Sequence, residues 1–148
     1  MKAESGTYVL VLRSSSRSSV PIGRWGELDI KPGYYLYVGS AFGPGGVLSR
    51  VSRHCREQKK KHWHIDYLRE VTLPIAVWYS HAPVHLEHHW ADVLSGMKDI
   101  TAVTGFGCTD CHCNSHLFYT PKKPDQEEFT RSAHRRISSC RCEQLPGK

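Results

Sequence analysis

The stretch "GYYLYVGSAFGPGGVLSRVSRH", residues 33 to 54, decides the fold. Its opening run, YYLYVG (residues 34 to 39), is continuously apolar and aromatic, so it reads as a strand buried on both faces. Pro32-Gly33 just before it is a turn signal. After the glycine-rich bend the pattern becomes helical. Val47, Leu48, Val51 and Cys55 recur as one stripe of a helix predicted from Val47 to Gln58. Arg50 and His54, four apart, stack on the neighbouring stripe and are expected at the seam between core and solvent.

Working outward, TYVLVLR (residues 7 to 13) reads as a strand, because it is β-branched and aromatic. SSSRSS is a polar loop, and VPIGRWGELDI (residues 20 to 30) reads as an edge hairpin punctuated by Pro and Gly. HWHIDYL (residues 62 to 68) fits helix or strand. LPIAVWY (residues 73 to 79) is another strand, entered at Pro74. Pro83 suits the first turn of a helix running to Ser95 and stopped by Gly96. On that helix Glu87 shares a face with Trp90, Ala91 and Leu94, and an inward carboxylate needs a partner. GFG (residues 105 to 107) is a turn and SHLFYT (residues 115 to 120) a last short strand. The expected fold is therefore α/β: a small, largely antiparallel central sheet of about three main strands, flanked by helices, with an extra edge hairpin.

The 148 residues suit one compact domain, and 39% hydrophobic residues supply a core. Residues 1–120 are read as that domain and 121–148 as a polar basic tail. The tail has seven Lys/Arg against four Asp/Glu. Asp125, Glu128 and the one-sided Phe129, Ala133 and Ile137 mark a short helix within it. The net charge of +6 favours a polyanion as partner. No apolar run approaches the roughly 18 residues that a membrane helix needs, and the N-terminus makes a poor signal peptide. A cytoplasmic protein with no membrane partner is expected; its oligomeric state stays open.

Three groups are needed to hydrolyse a phosphodiester. They are an activated water, a countercharge for the pentavalent phosphorus and help for the leaving oxygen. A guanidinium matches phosphate oxygens, a carboxylate-held metal assists the leaving oxygen, and tyrosine or histidine relays the proton. Tyrosines on strands, Arg50 and His54 on one helix, and Glu87 on a later one provide all three. The order resembles the GIY-YIG nuclease superfamily. Its first motif is matched by Gly6-Thr7-Tyr8 and its second by Tyr37-Val38-Gly39, followed by Arg50 and His54 and then by Glu87. The stretches YVGSAFGPGG, KKHWHIDYL and GFGCTDCHCNSHLFY resemble one uncharacterised branch, catalogued as domain of unknown function 123. Some members of that branch are joined to DNA-repair enzyme domains. Tyr8 and Tyr37 stand 29 residues apart, wider than the superfamily's usual spacing, and the hairpin between them absorbs the extra length.

The resemblance implies a metal-dependent endonuclease acting on DNA. In it Tyr8 and Tyr37 bind and activate water, with the general base open between them and His54. Arg50 stabilises the transition-state phosphate, Glu87 holds Mg²⁺ or Mn²⁺, and Lys59, Lys60 and Lys61 bind substrate. The superfamily's late asparagine has Asn114 as its one candidate here. A non-catalytic nucleic-acid-binding module, with or without a zinc staple, is the alternative. Cys108, Cys111, Cys113 and His116 offer four Zn²⁺ ligands within nine residues, although the Cys-x-Cys step crowds a tetrahedral ion; thiols lining a cleft are the other reading. Asp110, His62, His64 and Asp66 can complete a different site. His64 and Asp66 can orient each other or join a core network. Cys140 and Cys142 are expected in an unstructured tail.

Overall fold

A computed structural model describes residues 1–22, 26–56, 61, 64–103, 115–133 and 136–142. The elements run β1 (Gly6–Ser14), β2 (Ser18–Ile22), β3 (Gly26–Ile30), β4 (Gly33–Ala41), α1 (Gly46–Cys55), α2 (His64–Leu68), β5 (Leu73–Ser80), α3 (Glu87–Gly96), β6 (Thr101–Ala102), β7 (Leu117–Thr120), α4 (Gln126–Ala133) and β8 (Ser138–Arg141). One sheet of six strands has the order β6-β7-β4-β1-β5-β8, and every pairing in it is antiparallel. The three long strands anticipated from sequence, β1, β4 and β5, are its centre. The short strands β6 and β8 extend its edges. The hairpin β2–β3 forms a sheet of its own rather than an edge of the main one.

The central strand β1 explains the unbroken apolar runs. It is hydrogen-bonded on both sides and covered on both faces, so alternate residues enter two cores. Tyr8, Leu10 and Leu12 pack with Val47, Val51 and Cys55 of α1, Ile65 and Leu68 of α2, and Val20, Ile22, Leu28 and Ile30 of the hairpin. Val9 and Val11 join Leu36, Val38 and Trp78 beneath Trp90, Ala91 and Leu94 of α3 and Phe129 and Ala133 of α4. Among the described residues no helix is long and apolar enough to cross a membrane.

Helix α1 has no side-chain cap at its N-terminus. The Val47 and Leu48 N–H groups donate instead to the carbonyls of Glu4 and Lys2, at 2.9 and 3.3 Å. That docking needs the second glycine of the bend. Gly46 sits at φ 59°, and a Cβ there would lie 2.2 Å from the Glu4 carbonyl oxygen.

Three expectations are corrected. Helix α3 starts at Glu87, not Pro83. The Leu86 N–H that would enter a Pro83-initiated helix donates to Thr7 Oγ1 at 3.4 Å. His54 does not project at the solvent seam: it is 1% exposed, because its ring packs against Tyr8 of β1 and Tyr37 of β4. Cys140 and Cys142 are not in unstructured chain. Cys140 lies on β8, paired in register with Val77, and Cys142 is buried in the core.

Candidate active site

The two tripeptides lie on adjacent strands, staggered so that only Tyr8 and Gly39 stand opposite each other. In the antiparallel register Tyr8 lies opposite Gly39, Thr7 opposite Ser40 and Gly6 opposite Ala41. The Tyr8 ring therefore lies across Gly39, where a Cβ would come within 2.4 Å of its hydroxyl oxygen. Glycine at position 39 is what lets the Tyr8 hydroxyl reach α1.

There it meets His54. The Tyr8 hydroxyl and His54 Nε2 are 2.8 Å apart, and the rings stand 5.7 Å apart. The Tyr37 ring approaches His54 edge-on at 6.0 Å. Arg50, one turn earlier on α1, reaches both the Ser40 carbonyl, at 3.3 Å, and the Tyr8 hydroxyl. A guanidinium only donates, so the Tyr8 oxygen accepts from Arg50; in the His54 tautomer that carries its proton on Nδ1, the Tyr8 O–H donates to Nε2. Burial pushes the Tyr8 phenol well above its ordinary value, and neighbouring Tyr37 adds to this. The Arg50 charge pulls it down, and the Glu87 carboxylate raises it again. Tyr8 is thus a neutral phenol at pH 7, sensing every other member of the group.

Glu87 reaches the group through α3, whose entry is tied to β1 by the Leu86–Thr7 bond. His116 stands just before β7, held by the Val38 N–H donating to its carbonyl at 2.9 Å. The middle residues of the two tripeptides, Thr7 and Val38, therefore anchor the segments that carry Glu87 and His116. His116 Nδ1 lies 3.2 Å from Glu87 Oε1. Burial lowers the His116 imidazole below its ordinary range, against the pull of Glu87, and nearby His88 lowers it further. The neutral ring then donates Nδ1–H to the carboxylate. Glu87, His88 and His116 each bring one ligand atom into a cluster spanning no more than 4.8 Å, a set of side chains that can hold a metal ion.

Tyr8, Tyr37, Arg50, His54 and Glu87 are thus brought to one region, but unequally presented. Tyr8 and His54 are buried, whereas Tyr37, Arg50 and Glu87 keep partial exposure. Of the remaining candidates, Lys61 is exposed, pairs with Glu70 and lies over the Tyr67 ring. Lys59, Lys60, Cys108, Cys111, Cys113, Asp110, Asn114 and His62 lie outside the described residues. His116 is placed beside Glu87. Asp66 receives Arg53 in a two-pronged pair at 2.8 and 2.9 Å. His88 was not singled out from sequence, because a helical wheel turns it about 100° from Glu87. The histidine-rich string HLEHHW around Glu87 was the available signal.

The chain matches no curated protein and no solved structure significantly. A family described as Domain of unknown function DUF123 matches residues 7–139, nearly the whole length, and the chain belongs to that family.

Proposed function

We propose that the protein is a divalent-metal-dependent nuclease hydrolysing phosphodiester bonds in DNA, working in the cytoplasm. One observation carries this reading: Tyr8, Tyr37, Arg50, His54 and Glu87, from two strands and two helices, meet in one region, with the Tyr8 hydroxyl hydrogen-bonded to His54. Tyr37, the more exposed tyrosine, meets water. In the Nδ1–H tautomer His54 Nε2 directs its lone pair at the Tyr8 hydroxyl, so Tyr8 can pass a proton inward and His54 can store it. The Arg50 guanidinium offers fixed charge to a phosphate. A divalent cation at Glu87 would supply countercharge to the leaving oxygen. The basic net charge of +6 suits a polyanionic substrate.

A second reading has its own support. Tyr8 and His54 are each 1% exposed, as a purely structural pair would be. In that case the fold is a non-catalytic nucleic-acid-binding module.

Arg50→Ala and Glu87→Gln separate the two. Loss of a preorganised charge costs about 10² to 10³ in rate. Binding, spread over many phosphate contacts, falls much less. Arg50→Ala is expected to slow cleavage by that factor, and Glu87→Gln to abolish metal-dependent cleavage while keeping affinity. The assay is cleavage of plain, nicked and branched duplexes with Mg²⁺ or Mn²⁺, beside a binding titration at fixed salt. A wild-type protein that binds these duplexes and cuts none would establish the binding module.

A further inference from the structure

We propose that Glu87, His88 and His116 form a site for a first-row transition-metal ion, held by one carboxylate and two imidazoles, and that Mg²⁺ is a poor occupant. The use of this ion in cleavage rests on the nuclease reading above; its binding does not. Mg²⁺ demands octahedral oxygen ligation and keeps several of its waters. Imidazole nitrogen suits zinc, cobalt and their neighbours, whose affinities rise along the first row. Two of the three ligands here are imidazoles, which is the wrong donor set for Mg²⁺ and the right one for those ions.

The geometry fits as well. Two ligand atoms about 2.1 Å from a tetrahedral ion lie about 3.4 Å apart. The Glu87 Oε1–His116 Nδ1 separation of 3.2 Å is close to that, so the ion would take the place of the proton they share. The three ligand atoms all fall within 4.8 Å of one another, and the His88 and His116 rings are 6.1 Å apart. Small side-chain rotations close the remaining gap. The backbone beneath is already fixed, by Leu86 to Thr7 on the α3 side and by Val38 to His116 on the β7 side. Exposure grades across the site. The His116 side chain is 6% exposed, that of Glu87 20%, and His88 is exposed. One side of the ion would be walled by protein and the other left open for water or a phosphate oxygen, the pattern of a working rather than a structural metal site.

The test is a Co²⁺ titration of the chelator-stripped full chain, followed by visible absorption. One Co²⁺ is expected to bind with the spectrum of nitrogen and oxygen ligation, without thiolate charge transfer. About a hundredfold excess of Mg²⁺ should fail to displace it. Loss of even an outer-shell partner typically weakens a metal by about 10- to 100-fold. His88→Ala should therefore weaken Co²⁺ at least about tenfold. His88 is exposed, so that variant keeps its fold, which circular dichroism verifies; it decides the matter even if His116→Gln does not fold. Joint Cys108→Ser, Cys111→Ser and Cys113→Ser substitution should leave the site intact. Co²⁺ affinity unchanged in His88→Ala, lost in the cysteine variant, or displaced by equimolar Mg²⁺ would overturn the proposal. Cleavage in Mg²⁺ without this Co²⁺ site leaves the nuclease reading and removes the present one. Co²⁺ binding without cleavage does the reverse.

Discussion

Tyr8 and Gly39 are a single device split over two strands. The ring occupies the space that any side chain at position 39 would take, 2.4 Å from the hydroxyl and 2.5 Å from the ring carbon that bears it. Gly39→Ala cannot be absorbed by a flexible side-chain tip, because Tyr8 is fully enclosed. Overpacking of this kind costs about 1–3 kcal/mol. The expected outcome is that loss in a denaturant titration, and a much smaller one when Gly39→Ala is made in a Tyr8→Ala background, since the clash is gone. Additive losses in that double-mutant cycle would mean that the ring and the glycine are not coupled. At this scale the sequence was informative where spacing carried the meaning. Gly6-Thr7-Tyr8, Tyr37-Val38-Gly39, and Arg50 with His54 could be read because strand and helix periods set which residues share a face. Glu87 was legible as a buried acid needing a partner, but its nearest partner, His116, lies 29 residues on, and only the β4–β7 pairing brings it close. His88 and the Arg53–Asp66 pair were missed for the same reason: both depend on tertiary placement rather than on local period.

Among the elements, α2 shows how little of a short helix is decided locally. Its five residues are far too few to hold a helix alone, and HIDYL fits strand or helix equally by pattern. Tertiary ties settle the matter. Asp66, with no side-chain exposure, receives both prongs of Arg53 from α1, and Arg69 just beyond α2 donates through Nε to the His54 carbonyl at 2.7 Å. Removing one partner of a fully buried pair costs roughly 3–5 kcal/mol. The Arg53 side chain keeps 21% exposure, so the lower end applies to Asp66→Ala. Amide hydrogen exchange in that variant is expected to quicken first in α2 and then around His54. Uniform exchange across the molecule with an unchanged melting temperature would show that α2 is held by Ile65 and Leu68 alone. The same physics hid other elements. β6 is two residues long and β8 is Ser-Ser-Cys-Arg, neither carrying a strand's apolar alternation. Each exists because an edge of the sheet offers unpaired backbone groups. Helix α3 was legible as a helix, while its start moved to Glu87 because Thr7, on another element, takes the Leu86 N–H.

For the molecule as a whole, the polar composition of residues 121–148 conceals a structural contribution. Phe129 is fully buried, Ala133 and Ile137 nearly so, and all three belong to the core beneath α3. The Phe129 ring lies 5.3 Å from Trp78 and meets Trp90 edge-on at 5.4 Å. Beyond it, β8 covers the edge of β5 from Ala76 to Tyr79. Truncation after Thr120 would therefore strip the second core of its outer layer. Burying a large apolar side chain contributes about 1.5–3 kcal/mol, so Phe129 and Ile137 together approach the whole margin of a small domain. The truncation would also leave Trp78 and Trp90 open to solvent and β5 as a bare edge, a template for aggregation. The expected outcome for a 1–120 fragment is loss of a cooperative thermal transition, binding of a hydrophobic dye, and association on size-exclusion chromatography. Phe129→Ala in the full chain should lie between, destabilised by about 3–5 kcal/mol while still monodisperse. A fragment that melts cooperatively within a few degrees of the full chain would mean that α4 and β8 are appendages. The sheet around Tyr8 and Gly39 would then support the candidate site without them.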